Sequence, residues 1–233
     1  MRIDCHFHSS QYSCCSHVSP QRACEIALAR GLNALLFTEH GMYWDQEKLD
    51  DLQAQYPDLK LFSGIEIALN EGYHIVAFGT RFLDRQTNLM PLNQLISIVA
   101  EDRDNIFLFV AHAFRYQPYP LPELPQILKW CDGLEMNSIN ILRGRHVRYQ
   151  KNIAPVNHAL YEKHLQDFKL TPLYNSDGHD EDIIGLIANE FPISDPPDDE
   201  VELARLFKIK SPSEYQNPEL LSLHYLLNSP EYF

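Results

Sequence analysis

Residues 2–8 read RIDCHFH, and residues 9–31 continue as SSQYSCCSHVSPQRACEIALARG. The first run reads as a strand. In an extended chain, residues i and i+2 face the same side. His6 and His8 therefore turn both imidazoles the same way, beside a run that faces a core. Residues 19–31 then read as a helix, with Ser19 as N-cap, Pro20 at the first helical position and Gly31 at the end. A strand that closes on two titratable rings and hands over to a helix sets the pattern of a βα unit.

The pattern repeats outward. NALLFTEH (33–40) is the next strand, followed by LFSGIEIAL (61–69) and YHIVAFG (73–79). PLNQLISIVAEDR (91–103) reads as a helix and IFLFVAH (106–112) as a buried strand. A helix near 121–131 leads to the strand DGLEMNS (132–138), and a helical region near 153–169 leads to LTPLYNSDGH (170–179). Helices near 198–208 and 218–228 complete the reading. Seven strands alternating with helices imply an α/β fold with a largely parallel sheet. The strands at 61–69 and 73–79 are too close for a parallel crossover, so an antiparallel hairpin or one bent element is expected there.

The chain has 233 residues, 45% of them hydrophobic, and a formal charge of −13. One domain over 1–233 is the expectation for that length. The charge excludes an overall basic footprint for a polyanion. FPISDPPDDEVE (191–202) supplies part of it and reads as a solvated surface turn. No apolar run approaches a membrane span, and the N-terminus has no signal-peptide pattern. A cytoplasmic location is expected. The five cysteines show no zinc-finger spacing. Cys5, Cys24 and Cys131 lie in apolar-periodic segments and read as small core residues.

The polar residues fall where the strands end. His6 and His8 close the first strand and His40 the second. Glu66 lies in the third, His74 opens the fourth, His112 ends the fifth, Glu135 and Asn137 the sixth, Asp177 and His179 the seventh. In a parallel barrel such ends converge on one face. Imidazole and carboxylate donors suit zinc, manganese or iron. A carboxylate bridging ions within about 4 Å of one another gives a centre that binds a phosphate oxygen and lowers the pKa of a bound water. No side-chain nucleophile is then required. His146, His158, His164 and His224 lack such partners and read as hydrogen-bonded core residues.

In order along the chain, IDCHFHSS, FTEHG, GIE, HIVAFG, VAHAFR, DGLEMN and NSDGH resemble the motifs of the PHP (polymerase and histidinol phosphatase) superfamily, from residue 3 to about residue 195. The resemblance is to its stand-alone phosphoesterase branch. It implies a distorted (β/α)7 barrel with the metal site at the C-terminal ends of the strands. It also implies two or three divalent ions (Mn, Fe or Zn) and hydrolysis of a phosphomonoester or phosphodiester by a metal-activated hydroxide. Carried onto this chain, it makes His6, His8, Glu66 and Asp177 ligands of a first ion. Glu66 would bridge to a second, held also by His112 and His74, and His40 and His179 would hold a third. The remaining ligand, Asp or His in the family, falls on Cys15 in the loop after His8. Cys14 and His17 are close enough to replace it, and an empty third site is the other option. The expected catalytic residues are Glu66, Asp177 and His179. His179 or His40 would be the general acid only without the third ion.

Ala113 stands where many relatives have proline. Arg115, Arg143 and Arg145 are the candidate substrate-binding residues, since arginine clamps phosphate bidentately. Tyr12, Tyr43, Trp44 and Tyr116 stand in loops near the same mouth, where they either stack a flat group or pack locally. The expected partner is a small phosphorylated substrate or nucleotide, with no membrane. One alternative is a nuclease or nucleotide phosphodiesterase acting on nucleic-acid ends, which the net charge disfavours. Another is a catalytically inactive, metal-bearing binding module. An amidohydrolase barrel also opens with HxH but needs a bridging lysine in mid-barrel, and Lys60 and Lys129 fall outside suitable strand ends.

Overall fold

Alternating apolar runs and helical stretches build one large sheet with helices against it. The computed structural model of the chain describes residues 1–83, 87, 89–115, 119–144, 147–149 and 153–223. The strands are β1 (Arg2–Phe7), β2 (Ala34–His40), β3 (Lys60–Ala68), β4 (His74–Gly79), β5 (Ile106–Ala111), β6 (Gly133–Ser138), β7 (Val147–Tyr149), β8 (Ile153–Pro155), β9 (Thr171–Asn175), β10 (Ile187–Glu190) and β11 (Ser213–Gln216). The α-helices are α1 (Pro20–Ala29), α2 (Gln46–Gln55), α3 (Leu92–Val99), α4 (Leu124–Leu128), α5 (Ile139–Gly144), α6 (His158–Phe168) and α7 (Glu200–Ile209).

Nine strands form one sheet in the order β11-β10-β1-β2-β3-β4-β5-β6-β9, and β7 pairs with β8 apart from it. β1, β2 and β3 are mutually parallel, and so are β5, β6 and β9. β4 lies between the two sets, antiparallel to both neighbours. Of the two options left by the short link between β3 and β4, a hairpin or one bent element, the hairpin is present. Phe7 at the end of β1 bridges to Gly178 beyond β9, and the His8 N–H donates to the Gly178 carbonyl at 3.0 Å. The sheet thus curls into a nearly closed barrel. β5, with the all-apolar sequence IFLFVA, is buried along its whole length, as a strand covered on both faces must be.

Close approach explains the glycine of the SGIE run. A Cβ on Gly64 would lie 2.7 Å from the Ala77 carbonyl oxygen of β4 and 3.2 Å from Thr38 Cγ2 of β2. Inside the barrel Ile3, Leu36, Phe62, Phe78, Phe107 and Leu173 pack with Leu203, Ala204 and Phe207 of α7. Phe207 meets Phe78 and Phe107 with ring centroids 5.4 Å apart in each case, so α7 plugs the end of the barrel. Cys5, Cys24 and Cys131 are buried and unbridged.

Several elements differ from the sequence reading. The seven expected strands are β1–β6 and β9, but β10 and β11 extend the sheet past β1. IANE and SEYQ are four residues each and carry little apolar alternation, and the reversed β4 breaks a strict (β/α)7 repeat. The helix expected over 91–103 ends at Val99, because AEDRDN offers no apolar face and continues as a 3₁₀ turn. The expected helix 153–169 begins at His158; Pro155 ends β8 before it, and the residue before a proline avoids helical backbone. Only a 3₁₀ turn, Pro218–Ser222, occupies the start of the expected helix 218–228, and its remainder from 224 lies outside the described residues. α2 escaped the periodicity reading because it buries only Leu49 and Leu52. The acidic stretch 191–202 is more than a turn: Asp199 caps α7, accepting the Glu202 N–H at 2.8 Å. Among the described residues no helix is long and apolar enough to cross a membrane.

Candidate metal centre

Strand direction brings the donors to one rim. β1, β2 and β3 run together, so His6, His8, His40 and Glu66 arrive at the same end, with His40 in register with Glu66. β4 runs the other way, so its first residue, His74, stands at that rim, paired with Ala68 and Ala111. His112 follows β5, and Asp177 and His179 follow β9. His112 and Asp177 take left-handed φ values of 32° and 51°. Such backbone costs a non-glycine residue of order 1–3 kcal/mol and clusters at functional sites.

Glu66 is buried at 2% exposure, and its two oxygens divide the imidazoles between them. Oε1 lies 2.7 Å from His74 Nδ1 and 3.4 Å from His112 Nε2. Oε2 lies 2.8 Å from His40 Nδ1, 3.1 Å from His8 Nε2 and 3.6 Å from His6 Nε2. Asp177 Oδ1 stands 3.5 Å from His6 Nε2, 3.6 Å from His179 Nδ1 and 3.8 Å from His8 Nε2. Its Oδ2 stands 3.8 Å from His112 Nε2. Among the described residues, three triads have donor atoms within 4.8 Å of one another: His6–His8–Asp177, His6–Glu66–His112 and His8–His40–His179.

The donor set fits divalent cations. His6 Nε2, His8 Nε2 and Glu66 Oε2 are buried, and although Oε2 stands 3.6 and 3.1 Å from the two nitrogens, none of the three atoms is aligned for a hydrogen bond. A buried polar atom left in that state costs about 1–3 kcal/mol. Converging imidazole and carboxylate atoms at this spacing are what such an ion requires.

A second layer orients these donors. His6 Nδ1 donates to Glu135 Oε1 at 3.0 Å, which leaves Nε2 as the atom that could hold an ion. Glu135 also accepts the His112 backbone N–H and Asn175 Nδ2, each at 2.9 Å. Asn140 Nδ2 donates to Asp177 Oδ2 at 2.6 Å, and His179 Nδ1 donates to the Asp177 carbonyl at 3.0 Å. Glu39, beside His40 in FTEH, accepts the Ser9 N–H, the Ser9 and Ser13 hydroxyls and Trp44 Nε1–H. Ser13 Oγ stands 3.5 Å from His8 Nδ1. Glu135, which the sequence marks as a potential ligand, joins none of the three triads among the described residues and instead orients His6 and His112, and the sequence reading assigned no role to Glu39, Asn140 or Asn175. The one available signal was their place within a residue or a few of a marked donor.

Electrostatics separates the imidazoles. Burial opposes charge on His6, yet Asp177, Glu135 and Glu66 outweigh it and raise its pKa well above the usual histidine range. His40 and His112 are likewise raised, burial being overcome by Glu66 above all. Burial holds His8 down at about 3 and also lowers His179. Burial would raise Glu66 and Asp177, but His6 leads the neighbouring imidazoles in holding both carboxyls below their ordinary range.

The structure thus brings together His6, His8, His40, Glu66, His74, His112, Asp177 and His179. Cys15 sits exposed on the loop above them, and among the described residues it joins none of the three triads. Burial raises its thiol pKa first, followed by Cys14 and the carboxylates of Glu66 and Glu39. His17 turns instead to Asp180, 3.1 Å from Oδ1. Asp180 Oδ2 also stands 3.5 Å from Arg143 Nη2. Arg115 follows His112, with its N–H on the His112 carbonyl at 3.0 Å. Arg145, His146, Tyr116 and His224 lie outside the described residues. Trp44 is buried against Phe37, Tyr12 packs edge-on to Trp44, and Tyr43 packs on Phe82. These three aromatics serve local packing. His164 donates to the Leu160 carbonyl at 2.9 Å, and His158 stands 3.3 Å from Glu162.

Similar folds occur among solved structures. PsfC from Pseudomonas syringae PB-5123 superposes with a TM-score of 0.65 at 18% identity, covering 97% of each chain. A two-domain protein from Bacteroides vulgatus ATCC 8482, named as containing a "predicted PHP-like metal-dependent phosphoesterase", matches with a TM-score of 0.56 at 20% identity, over 78% of this chain and 52% of that one. Endonuclease Q, solved with a 27-mer duplex carrying an abasic lesion, matches with a TM-score of 0.53 at 14% identity, over 92% of this chain and 58% of that one. Comparison with curated proteins finds no match in sequence. The sequence profile of the PHP domain matches residues 4–208, and the chain belongs to that family.

Proposed function

We propose that this chain hydrolyses a small phosphorylated substrate, a phosphomonoester or phosphodiester, at the centre built around Glu66. The observation that carries the reading is the division of five imidazoles between the two oxygens of one buried carboxylate. That arrangement suits a ligand bridging two ions. His6, His8, Glu66 and Asp177 would hold one, and Glu66, His74 and His112 another. His40 and His179 would hold a third with Cys15, whose thiolate would favour zinc or iron over manganese. Divalent ions there supply positive charge to phosphate oxygens and lower the pKa of water.

The chain's own groups do the rest. Glu135 and Asn140 hold His6 and Asp177 in ligating orientation. Arg115 and Arg143 would take the outer phosphate oxygens, Arg143 exchanging Asp180 for the substrate. Water supplies the oxygen that bonds to phosphorus as the P–O bond to the alcohol breaks. The proton lost by water is matched by the one the leaving oxygen gains. His179 or His40 would deliver that proton where the third site is empty.

A panel of phosphomonoesters, dinucleotides and short oligonucleotides with added Mn²⁺ tests the reading. Turnover of a small ester that rises with Mn²⁺ and disappears on chelation supports it. Cleavage confined to oligonucleotides favours the nuclease reading. No cleavage at all leaves a metal-bearing binding module.

A further inference from the structure

Where β1 meets β9 the barrel closes without a full ladder, since the two strands are not neighbours in the sheet order. Phe7 bridges to Gly178 at the rim. Deeper in, two carboxamides take the place of ladder bonds. Asn175, at the end of β9, accepts the Cys5 N–H of β1 on Oδ1 at 3.0 Å. Asn189 of β10 accepts the Tyr174 N–H of β9 on Oδ1, also at 3.0 Å. Asn189 Nδ2 donates to Asn175 Oδ1 at 2.9 Å and to the Ile3 carbonyl of β1 at 3.2 Å. Asn175 Nδ2 donates to Glu135 Oε1 at 2.9 Å, the oxygen that also takes His6 Nδ1. Asn175, Asn189, Glu135 and His6 are all fully buried.

The two backbone donors fix the direction of this chain of bonds. A backbone N–H only donates, so each one must meet a carboxamide oxygen, and the carboxamide nitrogen is left to face onward. Asn175 therefore offers Nδ2 to Glu135. A flipped Asn175 would set oxygen against Glu135 Oε1 and leave the Cys5 N–H buried and unmatched, which is costly. Glu135 Oε2 already takes the His112 N–H at 2.9 Å. Glu135 thus stands as an acceptor on both oxygens, and His6 supplies the hydrogen at Nδ1. We infer that Asn175 is a positioning residue, which acts through Glu135 to keep His6 Nε2 turned to the ions. The inference rests on the reading of His6 as a metal ligand. It ties metal affinity to the seam of the barrel, outside the ligand set. Asn189 does not share the role, because the Cys5 N–H alone holds the orientation of Asn175 once Asn189 is removed. The two side chains make three hydrogen bonds each, yet only one of them faces Glu135.

The test loads nitrogen-15-labelled protein with Zn²⁺ and reads the imidazole nitrogens of His6 by NMR, the signals being assigned by their loss in His6→Asn. Competition with a chelator gives the zinc affinity of the same samples. In the parent protein Nε2 should carry the zinc-bound shift and Nδ1 the hydrogen. Asn175→Leu should lower zinc affinity about tenfold and erode that signature. Asn189→Leu also orphans one backbone N–H of the seam, so it should lower Tm, but zinc affinity should stay within about twofold and the signature should persist. In a Glu135→Gln background, Asn175→Leu should change affinity by less than about twofold, as for two residues acting along one path. Should Asn175→Leu fail to fold, the parent protein answers alone: its Asn175 side-chain N–H signals should move on zinc loading, as the His6–Glu135 bond polarises. Equal losses in Asn175→Leu and Asn189→Leu, parental affinity and signature in Asn175→Leu, or Asn175 signals unmoved by zinc overturn the inference and leave His6 a ligand. His6 nitrogens that do not respond to zinc in the parent protein overturn the ligand reading and the inference with it.

Discussion

His6 Nδ1 donates to Glu135 Oε1 across 3.0 Å, and both side chains are fully buried. The bond sets the tautomer that frees Nε2 for an ion, and Glu135 also holds the backbone of His112. Removing such a supporting carboxylate typically costs 10–100-fold in metal affinity. Glu135→Gln should therefore weaken divalent-ion binding by about that factor while the barrel remains folded. Competition with a calibrated chelator measures it, and unchanged affinity would remove Glu135 from the orienting role.

Metal loading should strengthen as pH rises. The pKa values of His6, His40 and His112 are raised in the metal-free protein by the carboxylates around them. A raised histidine pKa means the proton is kept to higher pH, so an ion must displace it, and binding releases protons near neutrality. Affinity should fall as pH drops through and below the histidine range. Calorimetry in buffers of different ionisation enthalpy counts the protons released. A count of zero at pH 7 would show these imidazoles already neutral.

Lys169 ends α6 at φ 55° and ψ 46°, an αL cap on an exposed side chain. For a residue with a Cβ that conformation costs roughly 1–2 kcal/mol, and glycine is the usual solution at this position. Lys169→Gly should stabilise the protein by about 1 kcal/mol, a rise in Tm of roughly 2–4 °C. Thermal unfolding decides it; a lower Tm would mean the gain in unfolded-chain entropy dominates. The same relief at His112 or Asp177 would remove a donor from the centre, so strain there is retained with the chemistry.

Phe207 closes the barrel end opposite the metal centre and is fully buried. Phe207→Ala should cost about 3–5 kcal/mol. Because it stands away from the rim, metal stoichiometry below the unfolding transition should be unchanged. Denaturant unfolding and metal analysis on the same sample check both halves.

The strands that carry donors were legible because each is a dense apolar run ending in His, Glu or Asp. IFLFVAH and NALLFTEH needed no tertiary information. The short link before β4 excluded a parallel crossover and left a reversal or one bent element as the options. β10 and β11 were not, since IANE and SEYQ become strands only by pairing beyond β1. α2 was missed because two buried leucines make too weak a stripe. At the centre, residue types sufficed to mark the donors. The orienting set of Glu39, Glu135, Asn140 and Asn175 acts through side-chain hydrogen bonds between distant strands, which no spacing encodes. Glu39 immediately precedes His40, yet adjacent strand residues face opposite sides, so its partnership with the Ser9–Ser13 loop was visible only in three dimensions.

The central claim is that Glu66 joins more than one cation in a single cluster. Metal analysis of freshly purified protein, alongside Glu66→Gln prepared the same way, tests it most directly. The expected result is more than one equivalent of divalent ion per chain, falling to one or fewer in the variant with the fold preserved by circular dichroism. A metal-free parent protein that takes up no divalent ion on addition, or a variant that binds as many ions as the parent, would contradict it.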